Sequence, residues 1–151
     1  MTEIGHNYRL TEIQAVIARW NLTRFDELLS RRQAQATRLC SALADTPGIR
    51  WHASREWEEW NCFSPVATLE VPRPREFASH LARIGVPNSV GSFGLIANDC
   101  RPQFSRQEGA SCPRAGNFID SALAIVLSEH DSEEEIDTMA ARIAKEIRQW
   151  A

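Results

Sequence analysis

The sequence predicts an α/β domain in which a short sheet carries helices on one face and a long helical segment precedes the sheet. Three observations predict this class: an apolar run of helical spacing near the start, proline-bounded stretches rich in β-branched residues, and an amphipathic segment at the end. A length of 151 residues suits one domain, so we assign residues 1–151 to a single unit. Residues 1–46 hold the long helical segment, and residues 47–151 form a small α/β sandwich.

The long helical segment begins after Thr11, whose hydroxyl fits a capping box with the side chain of Gln14. Helical spacing resumes over residues 25–43 and ends before Pro47. The polar stretch 21–24 between the two runs predicts either one bent helix or two helices in succession. The apolar residues of the first run are Leu10, Ile13, Ile17 and Trp20.

The middle of the chain predicts strand, helix and strand. Residues 62–71 alternate partly and contain β-branched side chains, and Pro65 within them indicates an edge position or a bulge. Residues 75–84 have helical spacing, and Gly85 follows at the usual left-handed stop. The sequence VPNSVG after this helix predicts a second, short strand.

The last third begins with an irregular stretch, residues 91–112, of a length that is usually functional or disordered. A short helix from Pro113 to about Ala122 and a strand over residues 122–128 follow. The final helix is capped by Ser132 and opens with three glutamates, which its dipole favours. Its apolar stripe docks it against the sheet and consists of Ile136, Met139, Ala140, Ile143, Ile147 and Trp150.

Composition excludes several classes of function. The formal net charge of −3 gives no basic excess for a nucleic-acid backbone. No stretch reaches the roughly 20 apolar residues that span a bilayer, and no secretory signal is visible at the start. We therefore expect a cytoplasmic protein without nucleic-acid or membrane partners.

Catalytic and metal sites are not evident in the residue pattern. The four cysteines are irregularly spaced, so we expect reduced, partly buried thiols rather than a zinc site or a nucleophile. His80 and His130 are expected to be exposed. The segment EHDSEEE, residues 129–135, lacks the glycine and ligand spacing of a calcium loop and is explained by helix capping. Tryptophans 51, 57 and 60 indicate core or interface positions.

The stretch GHNYR, residues 5–9, carries more hydrogen-bonding groups than a helix start needs. Asn7 offers two N–H donors, Tyr8 an O–H, and Arg9 a planar fork suited to a carboxylate or a phosphate. From chemistry alone, a well-capped helix with an arginine ion pair is the favoured explanation of the cluster.

The stretch GHNYRLTEIQAVIARWNLTRFDELLSRRQAQATRL resembles a segment of the DegT/StrS-type sugar aminotransferases. Later pieces agree in order: LADTPGI, LARIGV, PRAGNFIDSALAIVLS and DSEEEID. The resemblance implies the small C-terminal domain of the aspartate-aminotransferase architecture, fold type I. That domain has a long N-terminal helix and a short, mainly antiparallel sheet with helices packed on one face.

Members of that family are dimeric pyridoxal-phosphate enzymes with active sites at the subunit interface, and their Schiff-base lysine lies in a preceding large domain. By resemblance, Asn7 reaches the cofactor phosphate across the interface, Arg9 lies beside it, and His6 and Tyr8 line the substrate site. The only lysine here, Lys145, falls on the polar side of the last helix. The resemblance thus implies a chain that is inactive alone and has no catalytic residue of its own.

The leading hypothesis is a small subunit of a split, heteromeric aminotransferase. A large partner subunit supplies the lysine and holds most of the pyridoxal 5'-phosphate, and the substrates are a small-molecule amino donor and a keto or sugar acceptor. The alternative is a non-catalytic regulatory or scaffolding subunit of the same family. A third interpretation, an excised fragment of a longer enzyme, is less favoured by the Met1 start. All three predict exposed apolar surface along residues 10–29.

Overall fold

The structure, a computed structural model, describes residues 10–52, 57, 58, 60–90 and 111–150. Within these residues it contains five helices and four strands. In chain order they are α1 Glu12–Thr23, α2 Phe25–Ala42, β1 Ile49–Trp51, β2 Val66–Leu69, α3 Pro74–Arg83, β3 Asn88–Val90, α4 Pro113–Ser121, β4 Ala122–Ile125 and α5 Glu133–Gln149. In the described part of the chain, no helix combines the length and apolar character that a membrane span requires.

The long helical segment consists of two helices that meet at Arg24, as one of the two predictions had it. The predicted capping box is present: the Gln14 amide donates to Thr11 Oγ1 at 3.3 Å, and the Thr11 amide donates to Gln14 Oε1 at 3.0 Å. The helices are separated because the Arg24 amide donates to Asn21 O at 3.1 Å instead of continuing the α-helical pattern.

The sheet has the strand order β1-β2-β4-β3, and every neighbouring pair is antiparallel. Strand β1 was missed by the sequence analysis because three residues are too few to show alternation. The predicted strand over residues 62–71 was too long. Only Val66–Leu69 is extended and paired, because Cys62 has a left-handed φ of 52° and Pro65 has no amide hydrogen for the ladder. Strand β4 likewise ends at Ile125 rather than at residue 128.

The core lies on one face of the sheet, where α2, α3 and α5 pack. Each helix contributes fully buried side chains, for example Leu39, Phe77 and Ile143, and the sheet contributes Leu123 and Ile125. The arrangement confirms the predicted α/β class with helices on one face. Burial of this apolar surface supplies most of the stabilisation of the fold.

Helix α3, Pro74–Arg83, lies within one residue of its predicted bounds at each end, but the side chain of His80 does not lie where expected. His80 is only about a quarter exposed, its Nε2 lies 2.7 Å from Glu146 Oε2, and its ring packs at 5.4 Å on Trp150. The prediction of an exposed His80 was therefore wrong. The helical pattern could not show that α5 and the end of the chain cover that side of α3. His130 is exposed, as predicted.

Candidate subunit interface and active-site motif

The four predicted site residues, His6, Asn7, Tyr8 and Arg9, lie outside the described residues. The structure describes the helix that follows them. Helix α1 begins with the Thr11 cap, two residues after the motif in the sequence.

Helix α1 buries none of its residues. The apolar side chains of α1, and that of Leu10 just before its Thr11 cap, are more than half exposed: Leu10 65%, Ile13 74%, Val16 69%, Ile17 54%, Trp20 57% and Leu22 71%. A helix of 12 residues is only marginally stable in water without tertiary packing. Single exposed apolar residues are ordinary on a protein surface, but a contiguous row of them marks an interaction surface. The exposed apolar surface that was predicted for residues 10–29 is therefore present over the first half of that range, which contains α1.

A second exposed apolar region lies at the start of α2. We call it the aromatic patch and define it as Phe25, Leu29, Trp60 and Phe63. It lines two adjoining open grooves of about 600 and 270 Å³, and the exposed fractions of Phe25 and Phe63 are 54% and 67%. A hydrogen bond links the two segments of the patch: Gln33 Nε2 on α2 donates to Trp60 O at 3.2 Å.

The three tryptophans singled out from the sequence divide between core and surface. Trp51 is partly buried and packs against the core, whereas Trp57 is 74% exposed and Trp60 lies in the aromatic patch. Phe63 was not singled out from the sequence. A signal was available, because it follows a tryptophan-rich segment and directly precedes a buried strand region.

Two of the described thiols, Cys40 and Cys62, are unsuited to nucleophilic catalysis. Burial, with a smaller contribution from neighbouring Cys62, raises the pKa of Cys40 to about 11, and burial also raises the pKa of Cys62. Both are therefore protonated thiols at neutral pH, and the thiolate is the reactive form. Cys40 and Cys62 are free thiols, as the sequence predicted.

The acidic segment 129–135 behaves as a helix start. The Glu135 amide donates to Ser132 Oγ at 3.3 Å, and the Ser132 amide donates to Glu135 Oε2 at 2.8 Å. These bonds to Ser132 hold the pKa of Glu135 below its ordinary value. In the described part of the chain no group of three or more metal-ligating side chains comes together.

Lys145 lies exposed on the outer side of α5. The nearest concavity is an open depression shared with Ile84, Arg142 and Glu146. A lysine that forms a Schiff base with a cofactor needs an enclosed, perturbed environment. Lys145 does not fit that requirement, so the described residues provide no attachment point for pyridoxal phosphate.

Solved structures with this architecture are aminotransferases of fold type I. The fold superposes on an aminotransferase, TlmJ, from Streptoalloteichus hindustanus with a TM-score of 0.79 at 17% identity, covering 91% of this chain and 36% of that one. It also superposes on DesV from S. venezuelae, solved in complex with a ketimine intermediate. There the TM-score is 0.74 at 26% identity, with coverage of 94% and 37%.

A family model described as the DegT/DnrJ/EryC1/StrS aminotransferase family matches residues 1–144, and the chain belongs to that family. It is 29% identical to the dTDP-3-amino-3,4,6-trideoxy-alpha-D-glucose transaminase of Streptomyces venezuelae, over 97% of this chain and 37% of that protein. The chain thus spans little more than a third of the length of these relatives. Pyridoxal phosphate is the cofactor of the family.

Proposed function

We propose that this chain is the small subunit of a heteromeric, pyridoxal-phosphate-dependent aminotransferase. A separate large subunit carries the Schiff-base lysine and most of the cofactor pocket, and this chain completes the site across the interface. Two exposed apolar surfaces carry the proposal: that of α1, which follows the GHNYR motif in the sequence, and the aromatic patch. Family membership over residues 1–144 and the partial coverage of relatives support it.

Each motif residue has a role that its chemistry suits. The Asn7 amide donates hydrogen bonds to phosphate oxygens of the cofactor, and the Arg9 guanidinium adds charge-assisted bonds to the same group. His6 and Tyr8 contact the substrate. When bound, pyridoxal phosphate supplies the electron sink for amino transfer. Lys145, exposed on α5, takes no part.

The substrates are a small-molecule amino donor and a keto or sugar acceptor. The name of the S. venezuelae relative, a transaminase of a nucleotide-linked amino sugar, supports a sugar acceptor. In this assignment residues 1–46 supply the motif and the interface helices, and residues 47–151 form the supporting sandwich. The protein works in the cytoplasm.

Co-expression with a lysine-bearing large-domain polypeptide of the same family tests the proposal. We expect amino transfer only when both chains are present. If the large polypeptide is fully active alone, the chain is instead a regulatory or scaffolding subunit, and if the two do not associate, the proposal is wrong.

The aromatic patch provides a matched pair of variants for that experiment. Phe63→Asp places a charge in the patch and is expected to abolish co-purification of the two chains. Phe118→Asp alters another exposed aromatic residue, on α4 away from the patch, and is expected to leave co-purification intact. Equal behaviour of the two variants would remove the patch from the interface.

A further inference from the structure

The smaller of the two grooves at the aromatic patch has a single charged side chain in its lining. This groove, of about 270 Å³, is lined by Phe25, Leu28, Leu29, Arg32, Asn61 and Phe63. Residues 25, 28, 29 and 32 are three and four positions apart, so they lie on one side of α2. Arg32 therefore stands at the end of an apolar row, in a groove whose lining contains no acidic side chain.

Arg32 differs from the other two arginines of α2 because it has no partner in the described part of the chain. Arg31 donates to Glu129 O at 3.2 Å, and Arg38 binds two carboxylates of α5. Arg32 forms no hydrogen bond, ion pair or ring contact with the residues that the structure describes, although its side chain is partly buried. A guanidinium has five N–H donors and no acceptor, so this cation is available to an acceptor from outside.

Asn61 offers a second donor from the other segment of the groove. Its Oδ1 accepts a hydrogen bond from the Phe63 amide at 3.1 Å, which fixes the orientation of the side-chain amide. Its Nδ2 donates to none of the described residues. The groove thus combines an apolar lining with one charged donor and one neutral donor. The complementary chemistry is a carboxylate attached to apolar surface.

We infer that this groove binds a segment of the large subunit in which an aspartate or glutamate lies beside an apolar side chain. The apolar side chain packs between Phe25 and Phe63, and the carboxylate accepts hydrogen bonds from the Arg32 guanidinium and from Asn61 Nδ2. The inference rests on the proposed function and names the chemistry that the partner presents at the aromatic patch. A guanidinium matches a carboxylate in a planar, bidentate geometry, so the pair also orients the partner.

The shape of the groove favours a protein segment over a free carboxylic acid. Small-molecule sites are concave and bury most of their ligand, whereas Phe25 and Phe63 leave 54% and 67% of their surface exposed here. Exposed aromatic side chains beside an arginine are typical of the residues that dominate protein interfaces. The inference also gives a reason for the expected effect of Phe63→Asp, because the new carboxylate would compete for Arg32 and repel that of the partner.

The experiment measures the dissociation constant of the complex between the full chain and the large-domain polypeptide, at about 0.05 M and about 0.5 M salt. Arg32→Met keeps an unbranched apolar stem and removes the charge. It should weaken binding about tenfold at low salt, the effect of one hydrogen-bonded charge pair, and should reduce the salt dependence. Arg32→Glu should weaken binding further because two carboxylates then face each other.

Arg114→Glu is the matched control, since it makes the same change of net charge on an exposed residue of α4. It should leave the dissociation constant within about twofold of wild type. Wild-type affinity of Arg32→Met, or equal losses in Arg32→Glu and Arg114→Glu, would overturn the inference.

Charge exchange between the two chains identifies the carboxylate. Each exposed aspartate and glutamate of the large polypeptide is changed in turn to arginine and titrated against Arg32→Glu. We expect one such substitution to weaken binding to the wild-type chain and to restore binding to Arg32→Glu. If none restores it, the carboxylate pairing is wrong.

The outcomes separate this inference from the proposed function. An active complex whose affinity does not depend on Arg32 rejects the inference and leaves the proposed function standing. A complex that depends on Arg32 but performs no amino transfer does the reverse. Chains that do not associate at all reject both.

Discussion

The guanidinium of Arg38 binds the carboxylate of Asp137 through two parallel hydrogen bonds, Nε to Oδ1 and Nη2 to Oδ2, both at 2.7 Å. Its remaining nitrogen, Nη1, donates to Glu133 at 2.5 Å. One arginine on α2 thus holds two acidic residues on the first turns of α5. This contact therefore joins α2 to α5.

The Arg38 contact predicts a component of acid sensitivity. Hydrogen bonds from Arg38, opposed in part by burial, hold the pKa of Asp137 below its ordinary value of 3.8. A lowered carboxyl pKa adds stability above the unfolded-state value, and that stability is lost as the pH falls through the folded-state value. We expect Arg38→Met to lower stability at pH 7 and to flatten its decline in the acid range below pH 4. Urea unfolding at a series of pH values measures this, with Arg114→Met, on the exposed side of α4, as the control. A parallel decline in Arg38→Met and wild type would contradict the assignment.

The Ser132 cap contributes to global stability because α5 packs in the core. Ser132→Ala removes the acceptor for the Glu135 amide and should lower the free energy of unfolding by about 1 kcal/mol. Ser132→Asp keeps an acceptor at the same place and should retain most of that stability. Chemical denaturation of the three proteins checks the prediction, and an Ala variant as stable as the Asp variant would refute it.

Two glycines form a matched pair for testing backbone requirements. Gly48 has a φ of +89°, and a Cβ there would lie 2.9 Å from Val71 Cγ1, so Gly48→Ala should destabilise the protein by about 1–3 kcal/mol. Gly116 lies within α4 and a Cβ there meets nothing within 4 Å, so Gly116→Ala should stabilise by about 0.5–1 kcal/mol. Thermal unfolding compares them. Shifts of the same sign at the two positions would contradict the described backbone.

Trp150 anchors the end of α5 to the segment before α3. Its Nε1 donates to Pro72 O at 2.7 Å, and its ring packs edge-on against Phe77 with centroids 5.1 Å apart. Trp150→Phe keeps an aromatic ring but loses the hydrogen bond, which should cost about 1 kcal/mol. Trp150→Ala loses the packing as well and should cost more. Equal stabilities of the two variants in urea would show that the ring packing contributes nothing.

Long periodic segments and caps were the most predictable parts of the fold. The Thr11 and Ser132 caps, the stripe on α5 and the Gly85 stop all depend on neighbours within a few residues, so the sequence contains their causes. Strand β1 and the short extent of β2 depend on partners far away in the chain. Their three or four residues acquire a regular conformation only through pairing.

The candidate site likewise has one part that could be predicted from the sequence and one part that could not. The GHNYR motif is visible from sequence through its family resemblance and through the chemistry of its side chains. The aromatic patch is not, because Phe25 and Leu29 on α2 meet Trp60 and Phe63 only after the chain folds. The prediction that His80 is exposed failed for the same reason, because Trp150, whose ring packs on that of His80, is distant in sequence.

The most direct measurement of the central claim is the cofactor affinity of the complex of this chain with its large subunit, for wild type and Asn7→Ala. Pyridoxal phosphate and pyridoxal, which lacks the phosphate, are titrated in parallel, with Asn21→Ala as a control that removes an amide from the far end of α1. We expect Asn7→Ala to weaken binding of pyridoxal phosphate about tenfold or more, the effect of one hydrogen bond to a charged group, and to leave pyridoxal binding unchanged. Unchanged affinity for pyridoxal phosphate, or an equal loss for both ligands, would contradict the role of Asn7 in completing the active site.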